Sequence, residues 1–111
     1  MQAIPESRDV LTEQLRLVYE VAAGTPAEPL QRAVAEACRR HRAQPRDITV
    51  AVMPAAERSA PARLTITTRV PVSHDGRARE ALLRDIETVL TDTAPRSWRR
   101  LTYDAGAVDS A

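Results

Sequence analysis

The sequence predicts a single α+β domain in which helices pack on one face of a small three-stranded sheet. The chain has 111 residues, a length that accommodates one hydrophobic core. Its apolar residues change between the helical and the strand period along the chain, and proline, glycine and serine collect between the periodic segments. The element order is α-α-β-β-α-β, so we expect a ferredoxin-like or KH-like two-layer sandwich.

The first predicted helix extends from about Ser7 to Ala23 and is apolar on more than one side. Its apolar residues recur three and four positions apart, and Gly24 then supplies the backbone freedom that commonly ends a helix. Because a helix with this much apolar surface meets two layers, we expect it to contact both its own sheet and a second subunit. The expected interaction residues are Val10, Leu11, Leu15, Leu17, Val18 and Val21.

Two further helices are marked by their capping signals. Residues 25–28, Thr-Pro-Ala-Glu, have the form of a capping box with proline at the first helical position. This second helix continues until the sequence reaches Pro45, which disfavours helical backbone in the residue before it. Ser73 and Asp75 are available to cap a third helix from about Arg77 to Thr91.

Three segments alternate with the strand period of two. The first two are residues 47–53 and 64–70, with a proline-rich loop at 54–62 between them. The third, residues 97–103, carries arginine on both faces, which is typical of an edge strand. The expected divisions are a flexible N-terminus at 1–6, one domain at 7–103 and a flexible C-terminal tail at 104–111.

The composition indicates an ordinary globular protein of the bacterial cytoplasm. Hydrophobic residues make up 43% and charged residues 28%, and the net charge of +1 gives no strong attraction to nucleic acid or anionic lipid. We find neither a membrane-spanning apolar stretch nor a signal-peptide pattern. The single cysteine, Cys38, fits a reducing compartment. All basic residues are arginine, which suggests a GC-rich bacterial genome.

A metal site is one candidate function. Cys38 and His41 lie three residues apart on one predicted helix face, and His74 with Asp75 in a turn could supply two more ligands. Nothing in the sequence brings the two segments together. Packing at the edge of the core therefore explains Cys38 and His41 more simply, and we predict no cofactor.

Nucleic-acid binding is the second candidate. Two stretches are rich in arginine, and the second contains a tryptophan that could stack on a base. The residues concerned are Arg39, Arg40, Arg42, Arg46, Arg96, Trp98, Arg99 and Arg100. Arginine near a helix C-terminus is also favourable through the helix dipole alone, and the sequence contains no GxxG loop of the KH type.

Catalysis has the least support. The three glycines are too far apart for a phosphate-binding loop, and neither a P-loop nor a dinucleotide-binding fingerprint is present. We therefore expect a non-enzymatic protein-interaction or assembly module that associates with itself, most simply as a homodimer, or with another protein. The alternative is a small RNA- or ribosome-binding domain that uses the arginine clusters.

Overall fold

A computed structural model describes residues 11–57, 59–73, 75–93 and 98–110, with side chains up to Gly106 in the last segment. Two helices pack on a four-stranded antiparallel sheet, so the predicted two-layer α+β class is confirmed. The elements are β1 (Leu11–Val21), α1 (Ala27–Arg40), β2 (Thr49–Met53), β3 (Ala62–Pro71), α2 (Arg77–Thr93) and β4 (Trp98–Ser110). A short 3-10 turn, Pro45–Asp47, precedes β2.

The prediction of a helix at the start of the chain is wrong, because residues 11–21 form strand β1. From Glu13 to Val21, every second residue is buried, as expected when one face of a strand lies against a core. The apolar residues of this segment fit both periods, and pairing with β3 and β4 on its two sides selects the strand. The element order is therefore β-α-β-β-α-β, and the sheet has four strands rather than three.

The strands lie in the order β2-β3-β1-β4. Strand β3 separates β2 from β1, and β1 separates β3 from β4, so the two connections that contain helices each pass over an intervening strand. This is the split β-α-β arrangement that ferredoxin-like domains share. It leaves β2 and β4 as the two edges of the sheet.

The hydrophobic core lies between the helices and one face of the sheet, which we call the helix face. The sheet contributes Leu15, Leu17, Tyr19 and Val21 from β1 and Leu64, Ile66 and Val70 from β3. The helices contribute Leu30, Val34, Ala37 and Cys38 from α1 and Leu82, Ile86 and Leu90 from α2. The core is almost entirely aliphatic, as the composition requires.

The last strand is longer than the sequence indicates. The predicted strand ends at residue 103, whereas β4 continues to Ser110 and pairs with β1 along its length. Residues 104–110, which the sequence predicts as a tail, lie in β4. The other helices and strands lie close to their predicted positions. In the part of the chain that the structure describes, neither helix combines the length and apolar character needed to cross a bilayer.

Candidate functional site

The second face of the sheet, which we call the open face, has no helix packed on it among the described residues. The side chains on this face belong to alternate positions of each strand. They are Thr49, Ala51 and Met53 on β2, Arg63, Thr65, Thr67 and Arg69 on β3, Thr12, Gln14, Arg16, Val18 and Glu20 on β1, and Arg99, Thr102 and Asp104 on β4. Threonine and charged residues prevail, so this face suits water or a polar partner.

Strand β2 forms an edge that carries no charge. Its five residues, Thr-Val-Ala-Val-Met, pair with β3 without a register shift. Val50 and Val52 are half-buried against the core, and Met53 is 64% exposed at the end of the strand. From α1, the Gln31 side-chain amide donates a long hydrogen bond of 3.4 Å to the Val50 carbonyl. A regular, uncharged edge of this kind is open to pairing with another strand.

Strand β4 forms the opposite edge and is irregular. Its register against β1 shifts twice, and in both places β4 has the additional residue. One bulge is at Leu101, which lies between the partners of Val18 and Tyr19, and the other is at residues 106–107. Arg99, Arg100 and Asp104 add charge to this strand. Bulges and charges are the features by which proteins prevent edge strands from pairing.

A polar cluster attaches β4 to α2 on the helix face. The Tyr19 hydroxyl donates a hydrogen bond of 3.0 Å to Oε2 of Glu87, and Nη1 of Arg100 lies 3.2 Å from the same oxygen. The Trp98 indole packs edge-on against Tyr19 and donates to Thr91 Oγ1 at 3.2 Å. Burial, with the neighbouring Glu87 carboxylate, raises the pKa of Tyr19 far above its usual value. The polar atoms of this cluster therefore serve as hydrogen-bond and ion-pair partners for one another.

A second buried polar group lies at the other end of β1. The Glu13 carboxylate is 6% exposed, and Nη1 of Arg79 donates to its two oxygens at 3.2 and 3.1 Å. The Arg79 side chain lies against Gly76, where an added Cβ atom would be 2.9 Å from Nη2 of Arg79. Gly76 also has a φ of +74°, which favours glycine. The sequence pattern does not reveal this ion pair, because Glu13 falls within the segment that the sequence predicts as a helix.

The predicted interaction residues do not form one surface. Leu15, Leu17 and Val21 lie in the core, Val18 is half-buried on the open face and Leu11 is 49% exposed at the start of β1. Val10 is outside the described residues. Of the five described residues, three are therefore core, and only Val18 lies on the open face.

The predicted basic clusters are largely engaged with carboxylates of the same chain. Arg39 pairs with Glu36, Arg40 with Asp85, Arg99 with Glu20 and Arg100 with Glu87. Arg42, at the left-handed position that follows α1, and Arg46 are exposed, and Arg96 lies outside the described residues. Trp98 packs on Tyr19 and faces the helices, so it is not on the open face.

The three candidate metal ligands that the structure describes each have a different environment. Cys38 is buried in the core, where burial raises the pKa of its thiol and the neighbouring Thr68 hydroxyl partly opposes that shift. Nε2 of His41 lies 3.1 Å from Asp85, and Asp75 pairs with Arg77. His74 is outside the described residues. Among those described, no three histidine, cysteine, aspartate or glutamate side chains form a group that could hold a metal ion.

Comparisons with known proteins give little further information. No protein-family profile matches the chain, and no curated protein matches it. A solved structure described as that of AtUAH in complex with (S)-hydroxyglycine is similar at 15% identity and a TM-score of 0.41. The match covers 92% of this chain and 29% of that one. At this TM-score, the similarity supports no conclusion about fold or activity.

Proposed function

We propose that this chain is a non-enzymatic assembly module that associates with a second copy of itself through the edge of β2. The observation that carries the proposal is the contrast between the edges: β2 has neither a charge nor a bulge, whereas β4 has both. The unpaired N–H and C=O groups of an unprotected edge strand are a template for another strand.

The sequence of β2 is self-complementary when two copies of the strand pair in antiparallel orientation. A two-fold axis at Ala51 places Val50 opposite Val52 of the second copy, and Thr49 opposite Met53. Residues that meet in this register come from the same face of each sheet, as antiparallel pairing requires. β-branched cross-strand pairs are favourable, and no like charges come together, because β2 has none. The result is a continuous eight-stranded sheet.

Helix α1 supplies a second layer to this contact. Gln31 reaches the Val50 carbonyl, so the side of α1 that contains Gln31 lies over β2. Ala27 and Ala35 are one turn before and after Gln31 on that side. The two-fold axis brings this side of α1 near its counterpart, and the small alanine side chains permit close approach. Helix contact enlarges an interface that five-residue strands alone would leave small.

The test introduces like charges into the proposed edge without touching the core. Thr49 and Met53 are exposed, so the double variant Thr49→Lys/Met53→Lys should fold, yet it places lysines opposite one another across the axis. In sedimentation velocity we expect at least twice the 12.2 kDa chain mass for the wild type and the monomer mass for the variant. Ala105→Lys, an exposed position on β4, is the control and should keep the wild-type mass.

A wild-type chain that stays monomeric across a concentration series would contradict the proposal. So would a Lys double variant that keeps the wild-type mass. The RNA-binding alternative has less support, because four of its arginines pair with carboxylates within the chain. A monomer that binds mixed RNA with strong salt dependence would favour that alternative.

A further inference from the structure

The open face is organised in rows that run across the strands. The middle row is small and uncharged and consists of Ala51, Thr65, Val18 and Thr102. The row on one side consists of Met53, Arg63, Glu20 and Arg99, and the row on the other side of Thr49, Thr67, Arg16 and Asp104. Low side chains at the centre and charges of both signs beside them suit the close approach of a second sheet.

The two outer rows are complementary to each other. A two-fold axis along the middle row lays one outer row over the other, so Glu20 faces Arg16 of a second copy and Arg99 faces Asp104. Opposite charges therefore meet on β1 and on β4, Arg63 on β3 faces the uncharged Thr67, and no like charges are superimposed. Stacked sheets rotate by about 30° relative to each other, and the long arginine side chains can span the resulting offset.

We propose that the open faces of two edge-paired dimers stack in this way, so that the chain forms a closed tetramer. The inference rests on the proposed function. The edge-pairing axis is perpendicular to the sheet and passes midway between the Ala51 residues of the two copies, and Ala51 also lies on the middle row. The two axes therefore intersect at a right angle, and two perpendicular two-fold axes generate a closed D2 tetramer rather than a fibre.

The open face of a single chain is too small for a standard interface, so stacking requires edge pairing first. With strands about 4.8 Å apart, five residues of four strands project about 330 Å², well below the roughly 800 Å² per partner of a standard interface. Eight edge-paired strands project about 650 Å², which approaches that value. A second copy fits this face better than a nucleic acid does, because two of the four arginines on the face already have acidic neighbours. Arg99 is paired with Glu20, and Arg16 lies opposite Asp104.

The experiment compares the masses of the wild type and Val18→Glu by sedimentation velocity. Val18 is half-buried at the centre of the open face, where the axis superimposes it on its own copy, so a glutamate there opposes stacking and leaves β2 unchanged. We expect four chains for the wild type, two for Val18→Glu and four for the uncharged control Val18→Thr. Thr102→Glu, at an exposed position of the same row, repeats the test if Val18→Glu does not fold.

Other combinations of masses separate the two proposals. A wild-type dimer that Val18→Glu leaves dimeric would overturn stacking while edge pairing stands. A wild-type dimer that Val18→Glu converts to a monomer would overturn the tetramer and edge pairing together. A dimer that binds mixed single-stranded RNA, with affinity lost in Arg63→Ala, would assign the face to nucleic acid and overturn stacking.

Discussion

Strands β2 and β4 occupy opposite edges of the same sheet, and they are protected to different degrees. Strand β4 has thirteen residues, two bulges and several charges, whereas β2 has five residues and none of these features. Length alone would make β4 the stronger template for another strand. The comparison teaches that the protection of an edge, rather than its length, indicates which edge is available.

The largest effect is expected in β1, which lies between β3 and β4. In a strand, Leu15 and Val18 point to opposite faces, so Leu15→Glu buries a carboxylate in the core while Val18→Glu does not. We expect Leu15→Glu to unfold the domain, at a cost above about 4 kcal/mol, and Val18→Glu to keep its circular dichroism spectrum and a cooperative urea transition. If both variants lost their folded structure to the same degree, the result would instead indicate the helical spacing.

Removing a bulge should make β4 resemble β2. Leu101 is the additional residue at the first bulge, so its deletion straightens β4 and keeps the faces of the residues on either side. We expect the deletion variant to associate beyond the wild-type state, with a weight-average mass that rises with concentration. Leu101→Ala retains the bulge and serves as the control. An unchanged mass in the deletion variant would show that the bulge does not protect this edge.

Alkaline pH should destabilise the fold through Tyr19, in the polar cluster that attaches β4 to α2. The pKa of Tyr19 is raised in the folded chain, so folding loses stability as pH rises above about 10, where the unfolded chain releases the tyrosine proton. The chain contains no lysine to obscure this effect. We expect Tyr19→Phe to cost about 1 kcal/mol at neutral pH.

The same substitution should flatten the alkaline decline measured by urea denaturation. Cys38, whose pKa is also raised, contributes to the decline in both proteins and therefore does not affect the comparison. A parallel decline in wild type and Tyr19→Phe would show that Tyr19 is not the group responsible.

Local sequence patterns predict those elements whose formation depends mainly on residues nearby in the chain. Helix α2 was expected from Arg77 and begins there, because the turn before it supplies capping groups: Ser73 Oγ accepts a hydrogen bond from the Ala78 N–H. Strand β3 alternates over its whole length, as its valine, isoleucine and threonine residues suggest.

The elements that the sequence did not reveal depend on distant partners. Residues 11–21 combine leucine, glutamate and glutamine, which are good helix formers, with an alternation that becomes visible only when Tyr19 is counted as a core residue. Residues 104–110 contain alanine, glycine and aspartate and form a strand only because β1 lies beside them. The contrast between the edges was hidden for the same reason, since strand order is a property of the whole sheet.

Disulfide cross-linking tests the central claim, pairing of β2 with β2, most directly. The proposed register places Val50 of one chain opposite Val52 of the other, and the Cα atoms of such pairs are about 4.5–5.5 Å apart, which is within disulfide range. Buried Cys38 should remain reduced. On mild oxidation, we predict a covalent dimer from a mixture of Val50→Cys and Val52→Cys chains and from neither variant alone. No cross-link in the mixture, or equal cross-linking of each variant alone, would contradict this pairing.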